Sequence, residues 1–314
     1  MNNKTIMSLP IYFAPLQGFT SAAYRLFHSQ IFGNVATYCV PFARIEHGVV
    51  RVRDLRDMCP NPNLNQLPQI IVADVVETKQ LVEAVSQLGY QQIDINLGCP
   101  YPMQTGKGRG AALLANADNL RQVLDAACVA NGVQMSVKMR LGFASADECL
   151  QIAPLLNQYP LHHVTVHARI ASQQYDGDCN MTAFGEFYKT CKHQLIYNGN
   201  LTTIEQIQQI ENQFPNLAGV MIGRGLLANP ALASEYVKGA MLSKTELYKK
   251  VGQLHAELFA HNKQVLEGPM QVLLHMQNFW QYLLPDADAK LKKKIGKTRS
   301  LSSYESYVSQ LLNA

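Results

Sequence analysis

The chain has 314 residues, of which 47% are hydrophobic, enough to form the cores of one large domain and a smaller one. Its seven cysteines are odd in number and contain no CxxC pair, which argues against a disulfide framework or a structural zinc site. The N-terminus lacks the features of a signal peptide, and no apolar run approaches the roughly 20 residues needed to cross a bilayer. We therefore expect a cytoplasmic protein in a reducing compartment, with no membrane partner and no metal.

Eight short apolar runs recur along the first part of the chain, separated by longer segments with the periodicity of helices. Several runs are almost entirely apolar, as strands covered on both faces are. Eight alternating units predict an α/β fold, a (β/α)8 TIM barrel. The alternative, a doubly wound open sheet, is disfavoured because no glycine-rich phosphate loop follows the first run. The predicted strands are 11–14, 36–40, 69–73, 93–96, 134–138, 163–167, 194–197 and 219–222.

Helical patterns fill the gaps and then continue alone after about residue 241. Thr203 followed by Gln206 resembles a capping box at the start of one of these helices. We predict a catalytic barrel over residues 1–241 and a small helical domain over 242–314, broken at Pro285 and near Gly296. The helices that support this division are 78–89, 117–131, 146–158, 203–214, 244–261, 269–284 and 302–312.

The net charge of +4 is concentrated in the predicted helical domain. From residue 242 onward the chain has ten Lys or Arg against six Asp or Glu, whereas the preceding part has equal numbers of basic and acidic residues. A neutral body with a basic appendage indicates an anionic partner that docks on the appendage. From charge alone, an ordinary solvated helical face with surface lysines remains the alternative.

Two glycine turns lie where a TIM barrel often binds a phosphate, after its seventh and eighth strands. The seventh predicted strand leads into Asn198, Gly199 and Asn200, and the eighth leads into Gly223 and Arg224. Glycine lets backbone N–H groups approach a phosphate, and arginine grips it with a forked guanidinium. Glycines that merely end strands are the alternative, but two such turns with an arginine favour a phosphate site.

Other candidate functional residues follow the fourth, fifth and sixth predicted strands. Strand alternation places Lys138 and Arg140 on the same side, which indicates an anionic or electron-rich ligand or, alternatively, a salt bridge inside the barrel. His167 is interpreted equally well as a ligand contact or as a structural histidine. Cys99 lies in a turn between Gly98 and Pro100 rather than in the core, and the glycine-rich stretch 106–110 predicts a mobile loop above it. A thiol with an ordinary pKa near 8.5 is mostly protonated at neutral pH and can act as an acid.

Taken in order, these motifs resemble the flavin-dependent tRNA-dihydrouridine synthases of bacterial type, from one end of the chain to the other. Leu16 stands where the family usually has methionine, and Asn200 stands where an acidic residue is common. The matching segments are Ala14-Pro15-Leu16-Gln17-Gly18, Asn96-Leu97-Gly98-Cys99-Pro100, Val137-Lys138-Met139-Arg140-Leu141-Gly142, His167-Ala168-Arg169 with Gln173 and Tyr175, Asn198-Gly199, and Gly223-Arg224-Gly225.

The resemblance implies FMN as the cofactor and NADPH as its reductant. Gln69 matches a glutamine that reads the flavin ring, thirty residues before Cys99. The resemblance also implies RNA contacts near the target base from Arg44, Asn96 and Arg140. The implied flavin-binding residues are Pro15, Leu16, Gln17, Gln69, Lys138, His167, Asn198, Gly199, Asn200, Gly223 and Arg224.

The implied reaction is reduction of the C5–C6 bond of a uridine in tRNA, in the D-loop, with Cys99 as the acid that protonates the pyrimidine. The first alternative is a flavin oxidoreductase on the same barrel that acts on a free pyrimidine or another small molecule, which leaves the basic tail unexplained. The second is a non-catalytic RNA-binding protein. The sequence leaves the target uridine and the oligomeric state open, with a monomer as the expectation.

Overall fold

A computed structural model describes residues 8–129 and 132–313 of the chain. Residues 130 and 131, the last two of the helix predicted over 117–131, lie outside the described ranges. Ten strands occur in the described part, eight of them in one sheet and two in a short hairpin. The strands are β1 (Ile11–Phe13), β2 (Thr37–Ala43), β3 (Ile45–Glu46), β4 (Val49–Val50), β5 (Gln66–Ile70), β6 (Gln92–Leu97), β7 (Gln134–Gly142), β8 (His163–Ile170), β9 (Gln194–Asn198) and β10 (Gly219–Ile222).

Eight parallel strands close into a barrel in the order β1-β10-β9-β8-β7-β6-β5-β2, with β1 paired to both β10 and β2. Helices follow the strands, as in a TIM barrel, so the predicted fold is confirmed. Strands such as β6 and β8 are almost completely buried, because the barrel interior covers one face and the helices cover the other. All eight carboxyl ends therefore open on the same side of the molecule.

The third predicted strand begins three residues too late, because β5 runs from Gln66 to Ile70 rather than from 69 to 73. Pro68 lies in the middle of this strand, and proline weakens a strand signal because it donates no ladder hydrogen bond. The prediction for β7 ends four residues too early at 138, and the additional length carries Arg140 to the edge of the barrel.

Fourteen α-helices and one 3₁₀ helix (Gly110–Ala115) are present in the described ranges. The capping box predicted at Thr203 and Gln206 is confirmed at the start of α8. The α-helices are α1 (Ala22–Ile31), α2 (Val52–Asp57), α3 (Val75–Ser86), α4 (Pro102–Thr105), α5 (Ala117–Cys128), α6 (Glu148–Leu156), α7 (Met181–Thr190), α8 (Ile204–Gln213), α9 (Arg224–Ala228), α10 (Leu232–Lys238), α11 (Lys244–Val265), α12 (Pro269–Phe279), α13 (Ala289–Lys297) and α14 (Leu301–Leu312).

The helical tail, α11 to α14, packs around a buried polar cluster. Tyr304 accepts a hydrogen bond from Trp280 Nε1 at 2.9 Å, and its hydroxyl lies 2.7 Å from His255 Nε2. The helical tail breaks near Gly296 as predicted, at 298–300 between α13 and α14, although Gly296 itself lies inside α13. Helix α13 forms because Asp288 caps its first turn and Ile295 is fully buried beneath it. The domain boundary at 241/242 remains a prediction.

Among the hydrogen bonds that tie the tail to the barrel, two join residues more than 200 positions apart in sequence. Lys250 Nζ donates to the carbonyl of Ile31 at 2.6 Å, where α11 packs on α1. Asn278 Nδ2 donates to the carbonyl of Gly18 at 2.8 Å, just after β1. The second contact places α12 beside the open, carboxyl end of the barrel.

Candidate active site

Cys99 lies in the turn after β6, at the carboxyl end of the barrel, and is 8% exposed. The Asn96 side chain holds this turn, because its Oδ1 accepts hydrogen bonds from Gly98 N at 3.0 Å and Cys99 N at 2.8 Å. Gly110 packs directly on the cysteine: a Cβ there would lie 2.8 Å from the Cys99 carbonyl oxygen, and its φ of +61° also favours glycine. The turn that presents the thiol is therefore fixed from both sides.

The glycine-rich stretch above Cys99 is anchored rather than free, contrary to the predicted mobile loop. The Arg109 guanidinium, 4% exposed, forms an ion pair with Glu77 and donates to the carbonyl of Ile45 at 2.9 Å. Helix α4 and the 3₁₀ helix flank it. The buried ion pair holds the segment against α3 and against the hairpin of β3 and β4.

A chain of hydrogen bonds runs from the barrel interior to the Cys99 turn. Asp94 Oδ2 accepts from Gln69 Nε2 at 2.7 Å, and Gln69 Oε1 accepts from Asn96 Nδ2, also at 2.7 Å. Ser136 donates to the other oxygen of Asp94 at 2.8 Å. An ionised carboxylate only accepts hydrogen bonds, so Asp94 sets the direction of both amides and leaves Asn96 Oδ1 facing the Cys99 backbone.

Two cations line the barrel on the same side as Cys99. Lys138 is half-buried and, among the described residues, has no hydrogen-bond or ion-pair partner. Arg140 is buried, and its guanidinium donates to the carbonyls of Gly98 and Ile170, both at 2.9 Å. Arg140 therefore braces the Cys99 turn from β7, whereas the ammonium of Lys138 is available to a ligand.

Burial determines the protonation of the groups around the turn. It raises the pKa of the Cys99 thiol, so the cysteine is protonated at neutral pH even though Arg140 and Lys138 oppose the shift. Burial and the charge of Arg140 lower the pKa of Lys138 to about 8. Burial and surrounding cations hold the pKa of His167 well below its usual range, so its imidazole is neutral. Burial raises the pKa of Asp94 to about 6, so its carboxyl is ionised at neutral pH.

The ends of β9 and β10 form a cradle with one half-buried arginine. Arg224 donates to Asn200 Oδ1 at 3.3 Å, and its guanidinium lies 4.5 Å from the ring centroid of Tyr175. A Cβ on Gly199 would lie 2.6 Å from Cys179 Sγ, so only glycine fits there. Asn198 is oriented by a 2.7 Å hydrogen bond from its Nδ2 to the carbonyl of Met221. The two glycine turns predicted to bind a phosphate are thus adjacent.

The predicted residues from β1 and β2 have different surroundings. Pro15 and Leu16 are half-buried, and Leu16 faces the turn at Gly223, at 3.6 Å from a Cβ built there. Gln17 is exposed and faces a cavity between the barrel and the helical tail. Arg44 is ion-paired with Glu46 at 2.8 Å, in the loop that leads into β3.

Sequence reasoning missed Asp94 and Ser136, although both lie in predicted strands. Asp94 and Asn96 share the interior face of β6, and a carboxylate in the middle of an apolar run was the available signal. Tyr175 was noted only as part of a motif, yet its ring lies between Arg140 and Arg224, 5.5 Å and 4.5 Å from their guanidinium carbons.

Neither a metal cluster nor a membrane span occurs in the ranges 8–129 and 132–313. No three His, Cys, Asp or Glu side chains there are placed to hold a metal ion. None of the helices in these ranges combines the length and the apolar character needed to cross a bilayer. All seven cysteines are free thiols.

Solved structures of other proteins share this fold. Morphinone reductase superposes with a TM-score of 0.52 at 13% identity, covering 74% of this chain and 87% of that structure. The old yellow enzyme from Trypanosoma cruzi superposes with a TM-score of 0.53 at 10% identity, covering 74% and 89%. Identity this low establishes the barrel fold alone.

Comparisons of sequence identify the family. The chain is 30% identical to tRNA-dihydrouridine synthase B of Pasteurella multocida, over 52% of this chain and 49% of that protein. It is 32% identical to a tRNA-dihydrouridine(16) synthase of Haemophilus ducreyi, over 54% and 51%, so the chain spans about half the length of these two relatives. A probable tRNA-dihydrouridine synthase of Rhodobacter capsulatus is 26% identical, over 70% and 68%. The profile of the family described as dihydrouridine synthase (Dus) matches residues 12–309, and the chain therefore belongs to that family.

Proposed function

We propose that this protein is an FMN-dependent tRNA-dihydrouridine synthase that uses NADPH to reduce the C5–C6 bond of a uridine in the D-loop of tRNA. The observation that carries the proposal is the Cys99 thiol, which is fixed at the barrel mouth by Asn96 and protonated at neutral pH. The family assignment and the relatives named as tRNA-dihydrouridine synthases support the same activity.

The residues at the barrel mouth fit a flavin mononucleotide. Arg224 with the turns at Gly199 and Gly223 forms a cationic, glycine-lined cradle suited to its phosphate. Lys138 has an ammonium group without a partner in the described chain. This group can donate hydrogen bonds to the electron-rich flavin ring or to the ribityl chain. We assign the remaining flavin contacts to Pro15, Leu16, Gln69, His167, Asn198 and Asn200, and to Gln17, which also lines the cavity beside the helical tail.

The reaction requires a hydride at C6 and a proton at C5 of uracil, and the hydride would come from a reduced flavin held by the residues named above. Negative charge then develops at C5 and O4 of the base. Cys99 delivers its thiol proton to C5, and the resulting thiolate regains a proton from solvent. A positioned acid of this kind typically contributes about 100- to 10,000-fold to the rate.

The surroundings of Cys99 favour proton donation over nucleophilic attack. No described histidine hydrogen-bonds its sulfur, and the raised pKa keeps the thiol protonated. Lys138, as an ammonium, and Arg140 lie on the same side of the barrel and stabilise the developing charge. Arg140 also donates a hydrogen bond to the Gly98 carbonyl. The same guanidinium therefore stabilises the charge on the base and positions the turn that contains the Cys99 thiol.

The RNA reaches this site with its target uridine unstacked, because the thiol lies in a barrel mouth that a base in a duplex cannot enter. We assign the contacts near the base to Arg44, Asn96 and Arg140. Asn96 already uses its amide for Gln69 and the Cys99 turn, so its main contribution is to position the cysteine.

The direct test is to map dihydrouridine in tRNA from cells with and without this gene, and then to restore the gene as Cys99→Ala. We expect one uridine to lose its modification in the deletion strain and the alanine variant to leave it unmodified. The purified variant should keep the flavin absorbance and bind tRNA normally. Near-normal turnover by Cys99→Ala, or a modification pattern unchanged by the deletion, would refute the proposal.

A further inference from the structure

A cavity of about 340 Å³ separates the barrel from the helical tail beside the barrel mouth. The loop after β1 and helix α2 form its barrel side, and α11 and α12 form the opposite side. Gln17 and Gly18 lie where the cavity meets the barrel mouth. Its volume is within the range of small-ligand sites, about 300–1,000 Å³.

Aromatic and apolar side chains form much of the wall. Phe19 from the barrel and Tyr282 from the tail contact each other with ring centroids 5.2 Å apart. Tyr24 and Phe279 meet in the same way at 6.5 Å. Rings of this kind, contributed from both sides, provide flat surfaces on which a heterocyclic base can stack.

The uncompensated charge at the rim is positive. Arg53 and Arg56 on α2 are exposed, and the guanidinium of neither forms a hydrogen bond or an ion pair within residues 8–129 and 132–313. The two carboxylates of the lining lie beside other arginines: Asp57 pairs with Arg25 at 3.2 Å, and the buried Asp54 has its Oδ1 3.6 Å from Arg51, while its Oδ2 has no hydrogen-bond partner among the described residues. The cavity therefore combines an aromatic wall with an anion-binding rim.

We propose that this cavity holds a nucleotide of the RNA substrate other than the one reduced at Cys99, with its base against Phe19 and Tyr282 and its phosphate on Arg53 and Arg56. The proposal rests on the function proposed above and adds a second contact that fixes the register of the RNA. RNA is the favoured source of the nucleotide because the cavity joins the barrel mouth, which receives the target base, to the tail that holds the net positive charge. The adenosine phosphate of NADPH has the same chemistry, and the experiment must separate the two.

The first test removes both rim charges in Arg53→Ala/Arg56→Ala, with Arg121→Ala on the outer helix α5 as a matched control for the loss of an exposed arginine. Unmodified tRNA and NADPH serve as the probes. We expect the KM for tRNA to rise about tenfold and the KM for NADPH to stay unchanged. The slope of log affinity for tRNA against log salt should fall by about one, the value for one lost phosphate contact. The control should behave as wild type.

The second test addresses the aromatic wall. Tyr282→Ala should raise the KM for tRNA about tenfold, the loss expected for one stacked base, and Tyr282→Phe should restore it. The thermal unfolding midpoint and the KM for NADPH show whether either variant has damaged the protein as a whole.

The outcomes distinguish this inference from the proposed function. If no variant, wild type included, reduces tRNA, the proposed function fails. If wild type reduces tRNA but the arginine variant or Tyr282→Ala keeps the wild-type KM for tRNA, the nucleotide site is wrong. A rise in the KM for NADPH instead would assign the cavity to the reductant and also overturn the proposal.

Discussion

At the scale of single residues, the orientation of the Cys99 turn depends on Asp94, a carboxylate in the middle of the barrel. Amide groups of Gln69 and Asn96 can in principle point either way, because oxygen and nitrogen occupy similar positions. Asp94 removes this freedom as long as it is ionised, since it accepts from Gln69 and thereby turns Asn96 Oδ1 towards the cysteine. A residue that touches no substrate in this arrangement therefore positions the acid.

We predict that Asp94→Asn lowers kcat by up to about 100-fold, the effect of misplacing a reacting group by about 1 Å, while the KM for tRNA stays near wild type. The pKa of Asp94 is raised to about 6, so wild-type kcat should also fall as the pH drops below 6, where the carboxyl gains a proton. Asp94→Asn should lack this acid limb. Ser136→Ala, which removes one donor and keeps the carboxylate, is the control, and an unchanged pH profile in Asp94→Asn would contradict this role.

At the scale of elements, the lysines of α13 fall into two groups, one bonded within the protein and one exposed to solvent. Lys292 Nζ donates to the carbonyls of Leu283 and Leu284, at 2.7 and 3.2 Å, so it helps to terminate the preceding segment. Lys293 and Lys297 are exposed and lie one helical turn apart, which places them on the same face. The structure thus distinguishes a structural lysine from a pair available to an anionic partner.

If the exposed pair contacts RNA phosphates, Lys293→Ala/Lys297→Ala should weaken tRNA binding and reduce the slope of log affinity against log salt by about two. Lys292→Ala should instead lower the thermal unfolding midpoint, because two carbonyls lose their donor. Lys189→Ala, an exposed cation on α7, is the control for net charge. A double variant with the wild-type salt slope would place the RNA away from α13.

At the scale of the whole molecule, local patterns were sufficient to predict the eight strands, the barrel and the turn that contains Cys99. They were not sufficient for features that depend on packing between distant segments. Asp94 meets Gln69 and Ser136 only through the register of three neighbouring strands. Gln17 faces the interdomain cavity only because α12 docks on Gly18. Helix α13 was missed because its nine residues include five lysines and a glycine. With Ile295 as the one buried position, the segment lacks the apolar periodicity by which a helix is predicted.

The same packing buries neutral histidines in both parts of the chain, which makes the fold sensitive to acid. Burial lowers the pKa of His28, in the barrel, and of His255, in the tail, to about 4, against an ordinary value of 6.5. The unfolded chain therefore binds protons at these positions between pH 6.5 and about 4, whereas the folded chain does not. Stability is complete above pH 6.5 and falls with decreasing pH through this window, by up to about 1.4 kcal/mol per pH unit for each histidine.

Trp280 provides a reporter for this effect, since it is the only tryptophan of the chain and lies 5.8 Å from the His255 ring, centroid to centroid. His255→Gln removes one titrating group from the cluster and keeps polar atoms that can face Tyr304. Urea unfolding followed by Trp280 fluorescence at pH 7, 6 and 5 should show wild type losing stability relative to His255→Gln by up to about 1.4 kcal/mol per pH unit below 6.5. Because Lys250 and Asn278 join the tail to the barrel, circular dichroism should report the same transition. Parallel stability curves for the two proteins would show that His255 is not the group that makes the tail acid-sensitive.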